Sequence, residues 1–163
     1  MATSLDADRA AAAGAQAVQI NTGGQCHLDA AMVQRGMAAL DLSRVDLLLV
    51  ENVGNLVCPA AFDLGTHARV LIASVPEGDD KPFKYPGSYH SIDVVVLNKI
   101  DLLPYVAFDV TRFLHGVEVL NPDLRSFLVS CKTGEGLEAW FDWLRRELGR
   151  MRAELATERS GVG

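Results

Sequence analysis

Five short runs rich in β-branched and other apolar side chains, at 17–20, 46–50, 69–74, 93–97 and 126–130, restrict more than anything else how this chain folds. Each has the length and composition of a buried strand. Helical patterns separate several of them. Leu28, Met32, Val33, Met37 and Leu40 recur at a spacing that gathers them on one helix face. Near the C-terminus Leu137, Trp140, Phe141, Leu144 and Leu148 do the same, with Arg145, Arg146 and Glu147 on the other side, and a further helix-like stretch covers 5–15. Strands alternating with helices predict an α/β domain, a mostly parallel sheet flanked by helices. No internal repeat or linker divides the chain. The stretch 151–163 loses apolar periodicity and ends Ser-Gly-Val-Gly, so it is expected to fray, leaving 1–150 as the domain.

Composition narrows the function classes. At 163 residues and 49% hydrophobic content a core can form without disulfides or a structural metal. Fifteen basic against 21 acidic side chains give a net charge of -6, so the electrostatic footprint of a nucleic-acid binder is missing. No apolar run approaches the ~20 residues of a bilayer span, and the polar, acidic start is no secretory leader, so no membrane partner is expected. Cys26, Cys58 and Cys131 are an odd number at wide spacing, which argues for a reducing compartment, the cytoplasm.

In parallel sheets ligands sit outside the carboxyl ends of the strands. The fourth run is followed there by Asn98-Lys99-Ile100-Asp101. An aspartate so placed accepts two hydrogen bonds, from guanine N1–H and the 2-amino group. Adenine would leave the carboxylate desolvated and unpaired, a strong basis for discrimination. The Lys99 stem would lie along the base, and Asn98 would tie this loop to its neighbours. After the next run, Ser130, Cys131 and Lys132 can present backbone N–H groups to guanine O6; the Cys131 side chain itself reads as packing. Glu51 and Gly54 follow the second run, where nucleotide hydrolases of this architecture keep an acidic residue for Mg2+ and a glycine whose N–H meets the γ-phosphate. A plain turn explains Gly54 equally well. No G-x-x-x-x-G-K-S/T occurs, and none of the four lysines follows a glycine, so the phosphate cradle and the strand that feeds it are expected to be absent from these residues.

Cys26 and His27 are adjacent just before the helix near Leu28, and Cys58 lies in Leu-Val-Cys-Pro. Thiolate and imidazole suit Ni2+ or Zn2+, and three ligands leave a position open or supplied by a partner subunit. Spacing alone allows equally that the cysteines are small core residues and the histidine a cap. His67, His90 and His115 have no cysteine neighbours and are assigned to the surface. The segment 77–87, dense in charge, proline and glycine, is a loop that is either a solvated connection or a switch-type, partner-facing element.

These residues resemble the hydrogenase nickel-incorporation GTPases of the HypB type. The resemblance is carried in order by Ile-Asn-Thr-Gly-Gly-Gln-Cys-His-Leu-Asp-Ala at 20–30, Glu-Asn-Val-Gly-Asn-Leu-Val-Cys-Pro-Ala at 51–60, Phe-Asp-Leu-Gly at 62–65, Glu-Gly-Asp-Asp-Lys-Pro with Lys-Tyr-Pro at 77–86, Asn-Lys-Ile-Asp-Leu-Leu-Pro-Tyr at 98–105, and Ser-Cys-Lys-Thr-Gly-Glu-Gly-Leu with Trp140. It implies a P-loop GTPase-like domain of the SIMIBI class, represented over 1–150 without its first strand and P-loop. It further implies a cytoplasmic metallochaperone that uses GTP with Mg2+, dimerises, and delivers nickel to [NiFe]-hydrogenase together with other maturation proteins. Residues matching Cys26, His27 and Cys58 would form a nickel or zinc site at the homodimer interface, and Asn98, Lys99 and Asp101 would bind guanine. These residues alone are expected to bind GTP poorly and, with unpaired sheet edges, to self-associate. The rival readings are a non-enzymatic transition-metal-binding module and a plain interaction domain whose cysteines pack in the core.

Overall fold

The computed structural model describes residues 5–160, which divide between two compact units, one up to His67 and one from Ala68 onward. The second unit holds the sheet. Strands β1 (Val70–Ser74), β2 (Val94–Asn98) and β3 (Arg125–Leu128) run parallel in that order, with Val70 opposite Val94 and Val94 opposite Arg125. Helices α3 (Lys81–Lys84), α4 (Pro86–His90), α5 (Val110–Leu120) and α6 (Leu137–Ser160) complete the unit.

The run Val94-Val95-Val96-Leu97 is central and buried on both faces, as a continuous β-branched stretch requires. Side-chain alternation sends Val95 and Leu97 to one core, with Ala73, Tyr89, Phe113 and Val117. Val94 and Val96 go to the other, with Val129, Phe127, Trp140 and Trp143. On β1 the second face is thinly covered, and Ile72 stays 57% exposed. Asp109 caps α5 by accepting a hydrogen bond from the Arg112 N–H at 2.9 Å. Gly136, before α6, has φ +73°, and a Cβ there would lie 2.0 Å from the Leu128 carbonyl oxygen, so only glycine lets the chain pass.

The first unit is organised differently. Helix α1 (Leu5–Ala12) carries no buried residue. Helix α2 (Ala30–Met37) begins at Asp29, whose carboxylate accepts from the Met32 N–H at 2.7 Å, and buries Met32 and Val33 against Leu28, Ile20 and Val50.

Three of the five expected strands form, within one or two residues of their predicted ends. The runs 17–20 and 46–50 do not: among the described residues they join no ladder, and Leu49 is 75% exposed. A β-branched run becomes a strand only when a neighbour satisfies its backbone. The fray expected from Met151 is also corrected, because α6 continues as helix to Ser160. Arg150 pairs there with Glu147 and Glu154 at 2.9 and 2.6 Å, one turn away on either side, which supports a helix that has no core beneath it. Residues 161–163 of that expectation lie outside the described residues.

Candidate guanine-nucleotide and metal sites

The guanine-type loops are built by the sheet. β2 ends at Asn98, and Lys99 adopts φ 63°, the one positive φ outside glycine among the described residues. A lysine held in the left-handed region costs of order 1 kcal/mol and persists where neighbours fix it. Asn98 does so: its Oδ1 accepts from the Lys99 N–H at 2.7 Å and from the Cys131 N–H at 3.2 Å, joining the loop after β2 to the one after β3. Asp101 follows in a 3-10 turn, and the wholly buried Ser130 donates its hydroxyl proton to Asp101 Oδ1 at 2.6 Å. The Ser130 hydroxyl also accepts from the Thr133 N–H at 3.1 Å, and its N–H donates to the Glu135 carbonyl at 2.9 Å. The carboxylate is thereby held in one orientation with acceptor capacity to spare on both oxygens, which is what paired donors on a purine edge need. Lys132 is exposed in the same turn. Cys131 is exposed as well, which corrects the expectation that it packs.

The cysteine and histidine cluster lies within the first unit and depends on two asparagines. Asn52 Oδ1 accepts from the Leu28 N–H at 2.9 Å and the Val53 N–H at 2.8 Å, tying the start of the α2 segment to the 51–58 loop. Asn55 Nδ2 donates to the Cys26 carbonyl at 2.5 Å while its Oδ1 accepts from the Cys58 N–H at 2.9 Å. Two turns are thus pinned side by side by bonds that span 24 and 29 residues of sequence. Cys26 Sγ lies 3.8 Å from His27 Nδ1. The thiol of Cys58 is hydrogen-bonded to Cys26, which, with some burial and the charge of the same neighbour, raises it above the ordinary cysteine range. The His27 ring stacks on Phe62 with centroids 3.7 Å apart, fixing its plane. Among the described residues no group of three or more His, Cys, Asp or Glu side chains could hold a metal ion, so Cys26, His27 and Cys58 are not gathered into one complete site. The donor set is of the soft thiolate and imidazole kind, and it is open.

Asn52 and Asn55 were passed over in the sequence, where they read only as loop residues beside Glu51 and Gly54. Glu51 is exposed, and Gly54 has open space around its α-carbon. His67, His90 and His115 lie at the surface, as expected, and His90 Nδ1 is 3.2 Å from the Leu120 carbonyl oxygen. No helix among the described residues is long and apolar enough to cross a membrane.

A parallel sheet with an Asn-Lys-Ile-Asp loop cross-braced to a Ser-Cys-Lys turn defines a nucleotide-binding α/β domain. Residues 1–127 match the family model described as CobW/HypB/UreG, nucleotide-binding domain. The hydrogenase maturation factor HypB of Azotobacter vinelandii is 51% identical over 154 residues, covering 94% of this chain and 51% of that protein. HypB of Escherichia coli K12 is 46% identical over 142 residues, covering 87% of this chain and 49% of that one. In structure, HypB from Helicobacter pylori, crystallised in complex with nickel, superposes with a TM-score of 0.88 at 37% identity, over 91% of this chain and 71% of that one. HypB from Archaeoglobus fulgidus gives 0.74 at 43% identity, over 78% of this chain and 67% of that one. The chain belongs to the HypB hydrogenase maturation factor family, within the CobW/HypB/UreG nucleotide-binding proteins. It spans about half the length of the Azotobacter and Escherichia relatives.

Proposed function

We propose that this chain serves as a guanine-nucleotide-binding nickel carrier in [NiFe]-hydrogenase maturation. The observation that carries the reading is the braced Asp101: Ser130 fixes its carboxylate and Asn98 fixes the turn opposite, so the recognition edge exists before any base arrives. Asn98, Lys99, Asp101, Ser130, Cys131 and Lys132 would hold the base. Guanine binding is expected to exceed adenine binding by orders of magnitude, because adenine leaves that carboxylate unpaired. Asp101→Asn should invert the preference toward xanthine, which carries an oxygen where guanine carries the 2-amino group. Competition of fluorescent GDP by GDP, XDP and ADP tests this; equal competition by all three would dismiss base recognition.

The metal half rests on Cys26, His27 and Cys58, with Ni2+ as cargo and Zn2+ as the competing ion. Because the donor set is open, a second copy facing the first would complete it, and a homodimer with the ion between subunits is the arrangement we favour. Hydrolysis of GTP with Mg2+, with Glu51 and Gly54 near the metal and γ-phosphate, is the family-level activity we assign. Partners would be other hydrogenase maturation proteins in the cytoplasm. A hydrolysis-free metal-binding module is the second reading, which the cysteine and histidine donors Cys26 and His27 serve equally. Release of phosphate from GTP by this chain separates the two. Titration with Ni2+ tests the site common to both: Cys58→Ala and His27→Ala should each lose binding, and unchanged binding would remove the carrier role.

A further inference from the structure

We propose that Asp79 is a positioning residue for base recognition, holding the far end of the loop that carries Asp101 as Asn98 holds its start. The role deepens the base-recognition reading of Asp101 and rests on it. Asp79 lies just past β1, in the charged segment 77–87 whose composition leaves its role open. Its side chain is 17% exposed and makes bonds to residues 30 and 33 positions further along the chain. Oδ2 accepts from the Asp109 N–H at 2.8 Å, and Oδ1 accepts from the Arg112 guanidinium at 3.1 Å. Asp109 is the residue whose own carboxylate caps α5, so Asp79 fixes the point at which the recognition loop becomes helix. The segment that presents Asp79 is itself held, because the Phe83 ring packs on Gly116 of α5, where a Cβ would come within 2.7 Å of it.

Between Asp101 and Asp109 the chain is otherwise held by packing and by its own turns. Leu102, Leu103, Val106 and Phe108 rest on the core, and Tyr105 and Val106 both donate to the Leu102 carbonyl. Apolar packing is non-directional, so it sets the depth of this connection more than its register. The polar tie that fixes register is the one Asp79 supplies. Two residues before Asp79, the turn Val75–Glu77 lies against the turn Ile100–Leu102 that carries Asp101. Asp79 therefore spans the loop, close along the chain to its first turn and bonded to its last residue. Of its two bonds the one to the Asp109 N–H is the stronger hold, a carboxylate accepting from a backbone donor. Arg112 is 56% exposed, and an ion pair so open to solvent contributes little. A recognition carboxylate discriminates only as well as the groups behind it keep it in place.

Binding of fluorescent GDP to the full 163-residue chain and its variants, arranged as a double-mutant cycle, tests this role. Asp79→Ala should weaken binding about three- to tenfold. Asp79→Asn keeps an oxygen for the Asp109 N–H and should restore affinity to within about twofold of wild type, and Arg112→Ala should stay in the same range. In an Asp101→Ala background the further change Asp79→Ala should shift affinity by less than about twofold, because Asp79 acts through the carboxylate already removed, whereas a merely structural loss would add in full. A loss in Asp79→Ala that Asp79→Asn does not restore, an additive effect in the Asp101→Ala background, or a silent Asp79→Ala where Asp101→Ala is costly would each overturn the positioning role and leave base recognition standing. Wild-type affinity in Asp101→Ala would instead remove the base-recognition reading, and the role of Asp79 with it.

Discussion

The two candidate sites are fixed in different ways. In the second unit, backbone ladders and two cores carry the base-recognition loops to the ends of β2 and β3, where the Asn98 and Ser130 side chains brace what the sheet has already placed. In the first unit no ladder forms among the described residues, and the cysteine and histidine donors stand where Asn52 and Asn55 hold two turns together. A ladder-built site derives its rigidity from the whole fold. A site pinned by a few side-chain hydrogen bonds is easier to distort, as the carrier role proposed above would require.

The largest test of that contrast is core truncation. Phe113 is fully buried between α5 and the sheet, and Phe113→Ala should cost about 3–5 kcal/mol. Val33→Ala, in the small cluster of the first unit, should cost only about 1–2 kcal/mol. Urea unfolding followed by tryptophan fluorescence reads the first, because Trp140 and Trp143 both lie in the second unit. Hydrogen exchange across α2 reads the second. Equal losses would break the distinction between the units.

Next comes the passage beneath β3. Gly136→Ala sets a methyl group against the Leu128 carbonyl in a backbone conformation that alanine resists, so about 3 kcal/mol should be lost. Because Glu135 accepts from the Ser130 N–H, guanine binding should fall along with stability. A variant that keeps wild-type GDP affinity would mean the recognition turn does not depend on the packing below it.

Asn55→Ala sharpens the other half. It removes both bonds that pin Cys26 and Cys58, at about 1–2 kcal/mol of local stability. Nickel affinity should drop roughly tenfold, the lower end of what loss of an orienting hydrogen bond costs a metal site, while the tryptophan-detected unfolding midpoint stays put. Calorimetric titration with Ni2+ measures it. Unchanged affinity would show the donors to be placed by something other than Asn55.

How legible each region was follows from the same contrast. Val94 to Leu97 and the Asn-Lys-Ile-Asp loop could be read because a doubly buried strand and its end loop are local patterns. The family resemblance was legible for the same reason, in contiguous motifs. The runs 17–20 and 46–50 misled because a strand exists only with a partner, which no single segment encodes. Asn52 and Asn55 were missed because their bonds reach 24 and 29 residues back along the chain. Trp143 was left off the predicted helix face, although it is the side chain that α6 buries most fully. The stretch 151–160 was read as frayed because apolar periodicity was judged against a core. Arg150 with Glu147 and Glu154 supplies helical support of another kind.

The smallest expected effect concerns charge at the surface of the second unit. Lys84 and Asp80 form an ion pair one helical turn apart at 2.5 Å. The Lys84 ammonium holds the Asp80 carboxyl below the usual carboxylate range, and Asp80 in turn raises Lys84 above the usual lysine range. The signs then place each contribution. Asp80 stabilises above its unfolded value and loses that as pH falls through the lowered folded one; Lys84 stabilises below its unfolded value and loses that as pH rises through the raised folded one. Both groups are open to solvent, so screening leaves little of either. Asp80→Asn should lower the neutral plateau slightly and leave stability at pH 2 unchanged, so that the acid limb flattens a little, as thermal melts from pH 2 to 7 at low and high salt would record. A steep acid limb abolished by this one change would make α3, and not the buried strands, the support of the second unit, and the contrast between a ladder-built and a side-chain-pinned site would fail at its stronger end.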